Sequence, residues 1–175
     1  MRGAPYLASD DSELLRSVVV TYSGESCLEM GAGVGVTLAD LAKRFSLAVG
    51  TDLVIPDRRG WRGRPGNFVL ADRAACFSDG SFDLVAFNPP YLPSEGIEDV
   101  AVDGGAEGVE VALGFLREAF RVVKRRGKVV LLLSSLDSIE DVQRECARNS
   151  FSLRRVAEKG LFFERLYVFE CSPEE

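Results

Sequence analysis

The chain contains no histidine. That absence removes an imidazole general base, the Ser-His-Asp and Cys-His nucleophile schemes, and zinc sites of the usual spacing. The four cysteines, Cys27, Cys76, Cys146 and Cys171, are scattered with no CxxC pair, so each reads as a small core residue. No apolar run reaches the length of a membrane span, and the longest, Val129 to Leu133, has the length of a buried strand. The segment Met1-Arg2-Gly3-Ala4-Pro5 lacks the apolar stretch of a signal peptide, and the expected location is the cytoplasm. Cations are outnumbered: 21 Lys and Arg against 27 Asp and Glu give a formal net charge of -6. A field of that sign opposes nucleic acid. The one basic patch, Arg58, Arg59, Arg62 and Arg64 around Trp61, reads as a solvated loop or as a docking loop for RNA or an RNA-bound partner.

The 175 residues suit one domain, residues 1–175, with 46% hydrophobic and 27% charged residues, the balance of an ordinary globular protein. Apolar spacing predicts a helix over Ser12 to Tyr22 with Ser9 or Asp10 as N-cap, then a strand Cys27 to Glu29 and a helix Val36 to Phe45. Strands follow at Leu47 to Thr51, Asn67 to Ala71 and Phe82 to Phe87. After a loop from Pro89 to Gly105 comes a helix Glu107 to Val123, closed by Lys124-Arg125-Arg126-Gly127 as cations and a glycine at its negative end. A strand Lys128 to Leu133, a helix Ser138 to Arg148 and a hairpin of Ser152 to Glu158 with Leu161 to Glu170 complete the chain, Lys159-Gly160 forming the turn. Alternating strands and helices imply an α/β protein. The expected class is a Rossmann-like, class I methyltransferase fold: a mostly parallel seven-stranded sheet ending in an antiparallel hairpin, with helices on both faces.

Two segments carry chemistry. The first is Glu29-Met30-Gly31-Ala32-Gly33-Val34-Gly35, a glycine turn that lets backbone approach a ligand closely. Asp52 follows at the end of the second strand, where an acid accepts both hydroxyls of a ribose. The spacing favours AdoMet over a dinucleotide: the third glycine arrives one residue early, and Glu29 would repel a pyrophosphate but suits a cationic amino end. Asp72, followed by Arg73, is placed to accept from an adenine amino group. The candidate cofactor set is Glu29, Gly31, Ala32, Gly33, Asp52, Leu53, Asp72, Arg73 and, from the fourth strand, Asn88.

The second segment is Asn88-Pro89-Pro90-Tyr91 at the carboxyl end of the fourth strand, where ligands of open α/β sheets lie. An amide or exocyclic amino nitrogen is a poor nucleophile because its lone pair is delocalised. The Asn88 side-chain oxygen and the Pro89 carbonyl can each accept one N–H of a substrate NH2, favouring the electron distribution that develops during attack. The prolines stiffen the loop, and Tyr91 offers a flat face to a planar group. No base is needed before attack, which suits a chain without histidine.

With these residues in view the sequence resembles the HemK-type glutamine methyltransferases, in particular their short archaeal and eukaryotic form. The resemblance is carried by Tyr6-Leu7-Ala8-Ser9-Asp10-Asp11-Ser12, Leu28-Glu29-Met30-Gly31-Ala32-Gly33, Asn88-Pro89-Pro90-Tyr91, Asp103-Gly104-Gly105-Ala106-Glu107-Gly108 and Glu164-Arg165-Leu166-Tyr167-Val168. It implies methylation of the glutamine in the Gly-Gly-Gln motif of a class-1 translation release factor, with Asp11 and Ser12 approaching the AdoMet site. It also implies a small zinc-binding activator. The third strand, apolar at Phe68-Val69-Leu70 and an edge in such folds, is where a partner could add a strand. The bacterial form carries an extra N-terminal helical domain, whereas barely a dozen residues here precede the first helix, so substrate docking is expected to fall to the catalytic domain or a partner. Two other readings share the site: methylation of an adenine amino group in nucleic acid, and a non-catalytic AdoMet-binding subunit.

Overall fold

The computed structural model describes residues 10–55, 63–89 and 110–174. Seven strands form one sheet in the order β3-β2-β1-β4-β5-β7-β6. These are β1 (Gly24–Met30), β2 (Phe45–Asp52), β3 (Asn67–Leu70), β4 (Phe82–Phe87), β5 (Val123–Ser134), β6 (Phe151–Gly160) and β7 (Arg165–Pro173). The pairs β1–β2, β2–β3, β1–β4 and β4–β5 are parallel, whereas β7 is antiparallel to both β5 and β6. The carboxyl ends of β1 to β6 therefore share one rim, where β7 begins. Among the described residues four helices cover the sheet: α1 (Asp10–Val19), α2 (Val36–Leu41), α3 (Glu110–Val122) and α4 (Ile139–Arg148).

Period-two alternation sorts the strands into two cores. Cys27, Leu84, Ala86, Val130 and Leu132 point to the face covered by Leu15 and Val19 of α1 and Leu38 and Leu41 of α2. Leu28, Met30, Val85, Phe87, Val129, Leu131 and Leu133 point the other way, against Ala112, Leu116, Ala119 and Val122 of α3 and Val142 and Cys146 of α4. In α3 those buried positions recur every three or four residues, which is why the segment is a helix with one dry stripe. In α1, Asp10, Asp11 and Glu13 fill the first turn and Arg16 the last, matching the helix dipole.

A buried carboxylate ties α1 to the strands beneath it. Glu170 of β7, 4% exposed, accepts from Tyr22 just past α1 at 2.5 Å, from Lys128 at 3.0 Å and from Arg154 at 2.8 Å. Burial pushes its carboxyl up, but the bonds from Arg154, Tyr22 and Lys128 outweigh this and hold it down at about 2.

Several boundaries differ from those expected of the sequence. The first helix starts at Asp10 and stops at Val19, and the second stops at Leu41 because β2 already begins at Phe45. Lys124-Arg125-Arg126-Gly127 does not cap a helix but lies inside β5, with Lys124 paired to Asp83 at 2.8 Å. Register with β4 shifts between Phe82 and Leu84, and Gly127 fills the irregularity. Lys159-Gly160 is the end of β6 rather than a turn; residues 161–164 make the connection, closed by Leu161 N–H to the Glu164 carbonyl at 2.8 Å. Of the cysteines, Cys27, Cys146 and Cys171 are buried as expected, but Cys76 is exposed.

A Cβ at Gly127 would stand 2.6 Å from Val123 Cγ2 and 2.8 Å from the Asp83 carbonyl oxygen. Gly127→Ala is expected to cost about 1–3 kcal/mol by overpacking against backbone. The shift of the urea midpoint at unchanged slope measures it, and an unaltered midpoint would mean the bulge relaxes freely.

Candidate active site

The glycine turn leaves β1 at the point where the sheet order reverses, between β2 and β4. Gly31 and Gly33 hold φ of 74° and 50°, a left-handed region that side-chain-bearing residues rarely adopt. The turn is pinned to β2 by the Gly31 and Ala32 amides, which donate to the Thr51 carbonyl at 2.8 and 2.9 Å. A Cβ at Gly33 would meet nothing within 4 Å, so that side of the turn is open. Asp52, at the end of β2, reaches across: its Oδ2 accepts from the Gly33 amide at 2.9 Å and its Oδ1 from Val54 at 3.2 Å. Leu53 follows, 57% exposed.

Glu29 shares parity with Cys27 and faces the α1/α2 side. It is buried, and its carboxylate accepts from the Thr37 hydroxyl and the Leu38 amide at the start of α2, while Oε2 has no hydrogen-bond partner. Burial pushes its pKa up to about 8, with Thr37 and Leu38 pulling the other way and Asp52 adding repulsion. The chain thus keeps an acid with one unsatisfied oxygen under the glycine turn.

Asn88 continues the parity of Leu84 and Ala86 and so also faces α1. Its Nδ2 donates to Asp11 Oδ2 at 2.9 Å, while Asp11 Oδ1 accepts from the Ser12 amide at 2.7 Å. Asp11 is 2% exposed. A carboxylate can only accept, so this contact fixes which end of the Asn88 amide is which. The other end, Oδ1, is buried with no hydrogen-bond partner. Pro89 is buried beside it. Pro90, Tyr91, the Asp103 to Gly108 segment and Arg58, Arg59, Trp61 and Arg62 lie outside the described residues.

On the opposite face Phe87 packs on Phe115 of α3 at a ring distance of 5.5 Å. Phe115 lies 3.9 Å from where a Gly31 Cβ would be and carries the Arg73 guanidinium over its ring at 5.5 Å. Arg73 is in turn 3.6 Å from Asp72 Oδ1, and a Cβ on Gly114 would sit 3.3 Å from its Cζ. The structure thus gathers Glu29, the glycine turn, Asp52, Asn88, Asp11 and Ser12 at the β1/β4 rim, with Asp72 and Arg73 beyond β3 on the α3 side. It adds Phe115 and Thr37, which the sequence offered only as helix residues. Gly114 was a usable signal, since a glycine inside a helix costs about 1 kcal/mol and asks for a reason; here it makes room for Arg73. Among the described residues no cluster could hold a metal ion.

This strand order and its closing antiparallel hairpin are those of the class I methyltransferase fold. The proteins it is similar to include ones named as protein-glutamine methyltransferases. A protein of Methanocaldococcus jannaschii, provisionally named a protein N5-glutamine methyltransferase, is 28% identical over 95% of this chain and 90% of its own length. The release factor glutamine methyltransferase of Caulobacter vibrioides is 32% identical over 58% of this chain, which spans 43% of that longer protein. Among solved structures, the E. cuniculi Mtq2-Trm112 complex, which methylates the eRF1 termination factor, superposes with a TM-score of 0.81 and 26% identity over 97% of this chain and 98% of that one. A Synechocystis magnesium protoporphyrin IX methyltransferase with bound SAH shares the fold, with a TM-score of 0.65 at 16% identity over 91% of this chain and 82% of that one. No protein-family model matches the chain.

Glu29 gives a pH test. Its folded pKa is raised above the unfolded value, so its contribution to stability is full below about pH 4.5 and is lost as pH rises through about 8. Glu29→Gln should remove that part of the slope between those limits in denaturation experiments. Parallel pH profiles for the two proteins would refute the burial assigned to Glu29.

Proposed function

We propose that the chain acts as a single AdoMet-dependent methyltransferase domain, that its acceptor is the Gly-Gly-Gln glutamine of a class-1 translation release factor, and that it works in the cytoplasm. The carrying observation is the Asn88 amide, held by Asp11 so that an unpartnered oxygen remains. The nature of the relatives supports the acceptor. No described helix is long and apolar enough to cross a membrane.

The residues suit a cationic nucleoside cofactor: the unsatisfied Glu29 oxygen, the open side of Gly33, and Asp52 and Asp72 as acceptors. Glu29, Gly31, Ala32, Gly33, Asp52, Leu53, Asp72 and Arg73 would hold it, with Phe115 as a flat wall and Ser12 nearby. When bound, AdoMet supplies an electrophilic methyl group. Asn88 Oδ1 and the Pro89 carbonyl would each accept one hydrogen of the glutamine NH2. Two acceptors fix the nitrogen and withdraw proton density from it, so the lone pair is free to attack as the C–N resonance weakens. The surplus proton would pass to water once the new N–CH3 bond has replaced the S–CH3 bond, the cofactor leaving as its neutral thioether, and no histidine is required. Pro90 and Tyr91 would complete the clasp around the amide.

A small zinc-binding partner is proposed at the β3 edge. Among the described strands β3 pairs with β2 alone, and Leu70, Val54 and Ile55 are exposed there. An exposed apolar edge is unusual unless another chain covers it.

Labelled AdoMet should methylate the cognate release factor in the presence of that partner, and the label should vanish when the Gly-Gly-Gln glutamine is replaced. Label appearing in duplex DNA alone would overturn the acceptor. Asn88→Ala should lower kcat by about 100-fold while leaving AdoMet affinity intact. Asp11→Ala should act in the same direction by about 10-fold, because the amide is then free to flip. Asp52→Ala should instead weaken cofactor binding by calorimetry. Leu70→Asp should abolish co-purification with the partner while thermal stability holds; retained association would move the interface elsewhere.

A further inference from the structure

Three large apolar side chains stand exposed on the catalytic rim with no role in the core: Phe162 at 92%, Phe163 at 89% and Leu136 at 56%. The two phenylalanines form the tip of the β6–β7 hairpin, edge to face at 4.6 Å. Leu136 lies in the turn after β5, which is stitched to that tip. Ser135 N–H donates to the Arg165 carbonyl at 2.7 Å, Arg165 N–H donates to Ser135 Oγ at 3.0 Å, and the Ser134 hydroxyl donates to Glu164. Asp137 Oδ2 accepts from the Ser134 amide at 2.7 Å and closes the turn.

The tip is also linked to the chemistry. Lys159, three residues before Phe162, donates to Asp10 Oδ1 at 2.6 Å. Asp10 adjoins Asp11, which holds Asn88. The aromatic pair is thus carried on a braced frame beside the proposed acceptor site, on the side of the sheet away from β3.

We propose that Phe162 and Phe163, with Leu136, form a docking knob for the acceptor protein, gripping an apolar patch that flanks its glutamine. The proposal rests on the protein-acceptor reading above. A lone glutamine side chain offers little binding energy, so a protein methyltransferase must find affinity away from the reacting amide. Braced aromatic rings provide that affinity with little ordering cost. The net charge of -6 disfavours a nucleic acid or an anionic lipid surface as the occupant.

The test is steady-state methylation of the cognate release factor by the partnered enzyme, comparing wild type with the double variant Phe162→Ser, Phe163→Ser. The KM for the factor should rise by about 10–100-fold, with kcat, calorimetric AdoMet affinity and Tm unchanged. The double variant Phe162→Leu, Phe163→Leu should recover most of the loss. An unchanged KM overturns the proposal, as does a fall in kcat alone. Loss of binding to phosphatidylcholine–phosphatidylglycerol vesicles or to duplex DNA, with KM intact, would assign the knob to those surfaces instead. A wild-type enzyme that never labels the factor brings down the acceptor reading itself, an outcome visible before any variant is made.

Discussion

An asparagine amide presents a donor and an acceptor of nearly the same size, and packing alone seldom decides which faces a ligand. Here the decision is electrostatic. Asp11 is buried, can offer only lone pairs, and takes the Asn88 NH2 group, so the oxygen must point the other way. Three neighbouring features support that one contact. The parity of β4 sends Asn88 toward α1, the Glu170 network anchors the end of α1, and the Ser12 amide steadies the Asp11 carboxylate.

The sheet divides labour between its faces. The α1/α2 face near the rim is acidic and polar, with Glu29, Asp11 and Asn88 on strands or helices whose other inward residues are apolar. The α3 face is aromatic and cationic, with Phe87, Phe115 and Arg73. A ligand at the β1/β4 reversal meets hydrogen-bond acceptors on one side and ring surface on the other. Holding an acid at Glu29 is costly, as its raised pKa records, and that cost is concentrated where a positive charge would relieve it.

Much of the frame was legible in the sequence. Phe82 to Phe87 and Asn67 to Leu70 declare themselves by composition, and the glycine turn with Asp52 is a local pattern, so each was found close to its true bounds. What escaped was of two kinds. Lys124 to Gly127 and Lys159-Gly160 carry the residue types of a cap and a turn, yet the ion pair of Lys124 with Asp83 and the sheet pairing of Lys159-Gly160 with Leu166 and Arg165 override those local preferences. The second kind is contact between residues far apart in the chain. Asp11 and Asn88 are 77 positions apart, and Phe115 reads as one more apolar residue of a helix until Gly31 and Arg73 are seen against it. No single-chain pattern encodes such meetings.

The link from Lys159 to Asp10, with α1 packed over Val130, Leu132, Leu166 and Val168, also orders events in time. Most of the surface that α1 rests on, β5 and the final hairpin, is synthesised after it, with α2 the earlier contact. Asp11 gains that support only when those strands exist. A nascent chain therefore carries its glycine turn and Asn88 well before it carries the strands that seat α1 beside them.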